Sequence, residues 1–349
     1  MGPKTKRDLM RILPFGLIWM VFAVIYLLLE KSLLGNLSNY PSTGNPYEYG
    51  IITVYYVLIT STSGLLIGIF EVKYFNQLFT NFSFAGKIVS KTIIYVVFMI
   101  LFLTIIRMLG YIINLETDIF DPRVLDSMKY FFGSRVFWTV ELYIVIIIIA
   151  SLFFMEVSEN IGIQVLYNYF NGKYHTPIEE KRIFMFLDMN ESTALAEEIG
   201  HVKYFEMLRE YYADLSDPII RCSGQLYQYV GDEIVVTWKV KSSQESANCL
   251  KCFFLMKKSI ENQSEKYKSR FGTIPSFKAG IHMGYVTTGE IGVIKKDIVF
   301  TGDVLNVTAR IQSLCKTHRV DLLISKELQN EIKFNTEYQF KSLGQNELR

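Results

Sequence analysis

The chain has 349 residues, of which 50% are hydrophobic, 15% aromatic and 20% charged, and its 36 Lys and Arg against 34 Asp and Glu leave a net charge of +2. It is too aromatic and too charge-poor for a disordered chain, and too evenly charged for a general nucleic-acid binder. With 4 cysteines, the first at Cys222, it is no disulfide scaffold.

The apolar excess lies in the first 156 residues. Four runs, 12–29, 51–70, 93–113 and 136–155, each approach the roughly 20 residues that a helix needs to cross a bilayer core of about 30 Å. Four such runs in one stretch exceed what a soluble core of this size covers. They predict a four-helix transmembrane domain over 1–156, with the lipid bilayer as its partner. Lys4, Lys6, Arg7 and Arg11 precede the first run, and Lys73, Lys87 and Lys91 lie between the second and third. The segment after the third run carries Glu116, Asp118, Asp121 and Asp126 instead. Basic flanks stay in the cytoplasm, which predicts both chain ends there. The two outer segments, 31–50 and 114–135, are too short for a receptor domain. Any ligand or protein that the membrane domain senses must meet the helices or these segments. Gly64 and Gly68 make a G-x-x-x-G step, read either as close helix approach or as lipid-facing glycine. Arg107 and Glu141 are charges within the spans. Mutual pairing, a ligand contact and snorkelling to the interface all remain open for them.

Residues 157–180 read as a helical linker, apolar at Ile161, Val165, Leu166, Tyr169 and Phe170 and broken by Asn171-Gly172 and Pro177. It serves either as a transducer or as a passive tether. From 181 the pattern alternates. A strand over 182–187 ends in Asp188, and a helix follows with Leu195, Ile199, Val202, Phe205, Leu208, Tyr212 and Leu215 at helical spacing. Two strands within 226–238 flank Gly231-Asp232, a hairpin signature. A helix over 245–267, strands at 277–282 and 285–289, a helix over 303–315, a strand at 320–324, a helix over 326–332 and a strand at 338–343 complete an α/β or α+β sandwich.

Asp188 sits at a strand end and Asp232 in a turn; if their strands are neighbours, two carboxylates meet at one edge of the sheet. Paired carboxylates without His or Cys suit hard cations bound together with nucleotide phosphates. Residues 189–193 open a helix, whose first amides suit phosphate oxygens. Asn306 and Arg310, one helical turn apart, share a face, and an amide beside a guanidinium can hold negative charge developing on a phosphoryl group. Cys249 and Cys252 form a lone C-x-x-C on a helix, read as packed thiols rather than a metal site.

In order, Phe-Leu-Asp-Met-Asn-Glu-Ser-Thr ending at Thr193, Tyr-Val-Gly-Asp-Glu ending at Glu233, Ala-Gly-Ile-His-Met-Gly ending at Gly284, and Thr-Gly-Asp-Val-Leu-Asn-Val-Thr-Ala-Arg ending at Arg310 resemble the class III nucleotidyl cyclase catalytic domain. The resemblance covers 181–349, and the spacing of the two aspartates, 232 − 188 = 44, is similar to the family's. It implies an α+β ferredoxin-like catalytic domain that works as a head-to-tail homodimer with its sites at the interface. Asp188, Asp232 and the Met189 carbonyl would hold two Mg²⁺ or Mn²⁺ ions per site. The amides of Asn190, Glu191, Ser192 and Thr193, with the Thr193 side chain, would cradle phosphates. Asn306 and Arg310 of the other protomer would stabilise the transition state. The expected reaction is conversion of ATP to 3′,5′-cyclic AMP and pyrophosphate, by a chain similar to cyclases anchored in bacterial plasma membranes. A guanylate cyclase and a catalytically silent nucleotide-binding sensor are the alternatives. The purine-reading positions, Lys and Asp or Thr in adenylyl cyclases, are Gln228 and Val299 here, with Asp297 a nearby substitute. Gln228 can both donate and accept. Glu191 and Ser192 replace the Gly and Phe of many members, and Arg349 falls where the family carries a phosphate-binding Lys.

Overall fold

The computed structural model describes residues 2–35, 37–39, 50–75, 78–80, 82–115, 118, 121–240, 242–332 and 338–345; Glu116 and Arg349 lie outside them. The chain divides into two compact units, one over 6–167 and the other built from 168–349 together with 1–5.

The first unit is helical: α1 Pro3–Leu34, α2 Ile51–Lys73, α3 Phe84–Leu115, α4 Pro122–Gly133 and α5 Arg135–Ile161, then α6 Ile163–Phe170. α1, α2, α3 and α5 contain the four predicted runs and are long and apolar enough to cross a membrane. The unpredicted α4 begins at Pro122 behind Asp121, whose side chain accepts the Arg123 amide at 2.8 Å. Phe15, Trp19, Ile67, Tyr95, Ile147, Ile148, Leu152 and Met155 fill the interior. Leu17, Leu28, Phe98, Leu101, Ile105, Leu142 and Phe153 face outward. An exterior as apolar as the interior suits lipid. The glycine step is a contact within the bundle: a Cβ on Gly64 would lie 2.5 Å from the Trp19 side chain and one on Gly68 3.1 Å from that of Phe15, so two aromatic side chains of α1 pack directly onto the glycine face of α2.

An ion network ties the helix ends together. Lys91 on α3 is 1% exposed and reaches Glu71 on α2 at 2.5 Å and Glu156 on α5 at 3.1 Å. Lys87 adds a second contact to Glu156 at 3.3 Å, and the Tyr95 hydroxyl donates to Glu71 at 2.8 Å. Arg11 on α1 pairs with Glu159 on α5. Lys87 and Lys91, read from the sequence only as topology signals, also neutralise buried carboxylates. Removing one partner of a buried pair strands the other charge. Lys91→Met is therefore expected to cost about 3–5 kcal/mol, visible as a lower melting temperature of the full chain in lipid nanodiscs; an unchanged melt would refute the assignment. Glu141 is 4% exposed with no hydrogen-bond partner on either carboxylate oxygen, so the hydrogen-bonded pair with Arg107 is not formed. The Arg107 guanidinium instead lies 5.8 Å from the Phe131 ring centre.

The helix leaving the last span is broken: α5 stops at Ile161 because Gly162 takes φ +93°, and α6 starts afresh. A turn at 171–176 then leads into the first strand of the second unit.

That unit comprises β1 Ile178–Met189, α7 Ser192–Ile199, α8 His201–Arg221, β2 Gln225–Val230, β3 Glu233–Lys239, α9 Ser243–Ser246, α10 Asn248–Asn262, α11 Ser264–Phe271, β4 Phe277–Ile291, β5 Asp297–Thr301, α12 Asp303–His318, β6 Leu322–Ile324 and α13 Lys326–Glu331. The sheet runs β2-β3-β1-β4-β5, antiparallel throughout, with β6 parallel to the first half of β4. Its βαβ–βαβ order is the ferredoxin-like α+β arrangement expected. Strand alternation sends Ile183, Met185 and Leu187 into the main core with α8 and α10, and Phe184 and Phe186 into a smaller core with Val235, Val286 and Val304. Both faces are apolar, hence the unbroken hydrophobic run in β1. Cys249 and Cys252 are buried in the main core, and burial pushes the Cys249 thiol up to about 12.

Several elements differ from expectation. The one helix expected after Asp188 is two, α7 and α8, parted at Gly200 with φ +82°. The one expected over 245–267 is α9, α10 and α11. β1 begins at Ile178, within the expected helical linker. The two strands at 277–282 and 285–289 are one, because Gly284 makes no turn: a Cβ there would lie 2.5 Å from Val304, so the glycine admits α12. β5 was not signalled, being five residues long and bounded by Lys296 and Gly302. No strand forms at 338–343; Tyr338 stacks on Phe254 at 5.1 Å and packs with Phe340 against the core.

Candidate active site

β1 and β3 are neighbours, with Leu187 opposite Ile234. Continuing that antiparallel register sets Asp188 and Met189 beside Glu233 and Asp232. Gly231, at φ +62°, makes the tight turn that presents Asp232. The Tyr212 hydroxyl donates to the Gly231 carbonyl, and the Tyr212 ring stacks on Tyr229 at 4.3 Å, so α8 fastens the hairpin.

The carboxylates feel each other. Burial, and then the neighbouring Asp232, hold the Asp188 carboxyl above its ordinary range, although Lys278 and Gln312 pull it down. Burial, Asp188 and Asp232 raise Glu233 likewise. Asp232 keeps one oxygen, Oδ2, buried and without a partner. Two crowded carboxylates, one of them with an orphaned oxygen, fit a hard divalent cation. Among the described residues no group of three or more His, Cys, Asp and Glu side chains makes a metal cage. A cation here would therefore draw further ligands from main chain, substrate or water.

Only Asn190 and Glu191 separate β1 from α7. Glu191 is left-handed at φ +55°, and Leu195 N–H to Glu191 O at 3.0 Å is the first intrahelical bond of α7. The amides of Ser192 and Thr193 precede that bond, as first-turn donors do. Asn190 is engaged elsewhere: its amide donates to Ser276 O at 2.9 Å and its side chain to Ser276 Oγ at 2.9 Å.

Asn306 and Arg310 are both exposed on α12, whose buried face is Val304, Thr308, Ile311, Gln312 and Cys315. At 3.6 residues per turn Arg310 stands about 160° and Asn306 about 120° around the helix from Gln312, and Gln312 is the residue that reaches Asp188, at 3.2 Å. Asn306 and Arg310 thus lie on the far face of α12 from the carboxylates of their own chain.

Lys278 and Gln312 had escaped sequence reasoning. Lys278 is directly opposite Asp188 in the β1–β4 ladder, with its ammonium 3.3 Å from Oδ2. Gln312 is brought in by Gly280, where a Cβ would lie 2.3 Å from the Gln312 nitrogen. Both contacts depend on long-range register rather than on a local motif.

Residues 175–349 match the family model described as the adenylate and guanylate cyclase catalytic domain. The chain belongs to this cyclase family. The chain is 33% identical to adenylate cyclase 2 of Rhizobium meliloti over 57% of its own length and 54% of that protein. It is 26% identical to an adenylate cyclase of Anabaena cylindrica over 41% of itself and 29% of the relative. It thus spans at most about half of these relatives. A solved bacterial light-regulated adenylyl cyclase aligns at TM-score 0.48 and 17% identity, over 53% of this chain and 55% of that one.

In the cyclase domain, Gln228 lies exposed on β2 at a bulge and Val299 half-buried on β5, at opposite edges of the sheet order. Their neighbours nonetheless meet: the Tyr227 and Phe300 rings are 4.9 Å apart, packed with Phe184 in the smaller core. Asp297 is exposed and paired with Lys295 at 2.9 Å.

Proposed function

We propose that the chain is a membrane-anchored adenylate cyclase that turns ATP into 3′,5′-cyclic AMP and pyrophosphate at sites shared by two copies. The reading rests on the division of chemistry within one chain. Asp188 and Asp232 converge at the end of β1, while Asn306 and Arg310 face away from them on α12. A head-to-tail homodimer would bring the two halves together twice.

Asp188, Asp232 and the Met189 carbonyl would hold a divalent cation, Mg²⁺ or Mn²⁺, which supplies positive charge to acidify the ribose 3′-hydroxyl and neutralise the triphosphate. The Ser192 and Thr193 amides receive phosphate oxygens. In the in-line displacement the 3′-hydroxyl gives its proton to solvent water and its oxygen bonds to the α-phosphorus as the bond to pyrophosphate breaks. Arg310, with Asn306 beside it, takes the negative charge that builds on the α-phosphoryl oxygens. The four apolar helices anchor the chain, with the basic flanks and the cyclase domain on the cytoplasmic side. The likeness to adenylate cyclases favours ATP over GTP, and Gln228 can meet either purine edge.

The test is a cyclase assay on membranes holding the full chain, with ATP and GTP at equal concentration and Mg²⁺ or Mn²⁺. Cyclic AMP should dominate, and Gln228→Lys should widen its lead. Dominant cyclic GMP would make the protein a guanylate cyclase. No product with either metal would leave a silent nucleotide-binding sensor.

A further inference from the structure

We propose that Lys278 is a resident counter-cation of the metal site, one that neutralises Asp188 until a divalent ion arrives and thereby weakens that ion's binding. The inference rests on the metal reading of Asp188 and Asp232 given above.

Register fixes the lysine. Asp188 and Lys278 are directly opposed residues of β1 and β4, so their side chains leave the same face of the sheet. The ammonium lies 3.3 Å from Asp188 Oδ2, with the lysine side chain 19% and the aspartate side chain 30% exposed. Gln312 Nε2 donates to the same oxygen at 3.2 Å. Both donors thus fall on Oδ2, which turns the other Asp188 oxygen toward whatever else binds. On the neighbouring aspartate, the buried Asp232 Oδ2 has no partner at all. One carboxylate is thus held by a lysine and a glutamine, while the other waits.

The charges explain the arrangement. The β1–β3 register, with Leu187 opposite Ile234, brings Asp188, Glu233 and Asp232 to one end of the ladder. Without a cation, three like charges at a strand end oppose folding. Lys278 supplies one positive charge from within the chain. A divalent ion entering beside Asp188 must then meet the ammonium's repulsion at short range, where screening by salt is weak. Lys278 is a positioning residue in this account. It holds Asp188 and sets the metal affinity without touching the reacting atoms, and Gln312 chooses which oxygen is held.

Removing Lys278 should therefore tighten metal binding. Mn²⁺ alone is titrated into full-length protein in nanodiscs, and free Mn²⁺ is read by electron paramagnetic resonance. Lys278→Met and Lys278→Gln should both bind Mn²⁺ about tenfold more tightly than wild type, and their metal-free melting temperatures should fall. Lys278→Arg, which keeps the charge, should behave as wild type on both readouts. A lysine that merely packs would lower stability without tightening Mn²⁺. Unchanged or weaker binding in both neutral variants, with Asp188→Asn still losing Mn²⁺, overturns the role given to Lys278. Equal Mn²⁺ binding by wild type and Asp188→Asn overturns the metal site itself, and this inference with it.

Discussion

Asp232→Asn is expected to cut cyclase turnover at least a hundredfold, which is about 2.7 kcal/mol of lost transition-state stabilisation, while leaving the metal-free protein as stable as wild type or slightly more so. The two halves of this result have one cause. Asp232 presses on Asp188 and Glu233 from the turn between β2 and β3, and both carboxyls sit above their ordinary range because of burial and that pressure. An amide removes the pressure, and with it a charged cation ligand. The sign of the pH dependence follows. Groups raised in the fold favour folding fully when pH is below their unfolded pKa, and that contribution is lost as pH climbs through the raised value. Metal-free stability should therefore decline across that window. Cation binding needs the same carboxyls deprotonated, so turnover should rise over the same window. In Asp232→Asn the stability decline should move to lower pH, as Asp188 returns toward the ordinary carboxylate range. Melting curves from pH 4 to 8 with chelator, set beside pH–rate profiles, check both; parallel rather than opposing trends would contradict the assignment.

Arg310→Ala is expected to lower turnover by about a hundred- to a thousandfold with a stability change within about 0.5 kcal/mol. Arg310 is exposed on α12, and the buried face of that helix lies on its other side. Its truncation therefore removes little buried surface. The loss should appear in kcat more than in KM, since the guanidinium acts where charge accumulates during the displacement. Asn306→Ala should fall in the same direction by less, because a neutral donor holds an anion more weakly than a guanidinium. A large drop in melting temperature for Arg310→Ala would move it from chemistry to structure.

Much of this site is legible in the sequence because its parts are local. A strand running into Asp188, a Gly-Asp turn and an Asn and Arg one turn apart on a helix each show themselves within a few residues. So do four apolar runs, whose length alone marks them. The contacts set by distant register are not legible. Lys278 and Gln312 meet Asp188 only after β4 has paired with β1 and Gly280 has let α12 approach. The ion network around Lys91 is hidden for the same reason: Glu71, Lys91 and Glu156 come from three helices and look, one by one, like ordinary charges at span ends. Glycine misleads where it serves packing, as Gly284 does by admitting Val304 inside a continuous strand. Short elements such as β5 fall below what alternation can signal.

The central claim is that carboxylates from one copy and the Asn–Arg pair from its twin close around one triphosphate. Co-expression of Asp232→Asn with Arg310→Ala chains tests it most directly. Each variant alone has two broken sites, but a mixed dimer has one intact site, so random pairing should restore about a quarter of wild-type activity. Membranes that make no more cyclic AMP than the sum of the two variants expressed separately would contradict it.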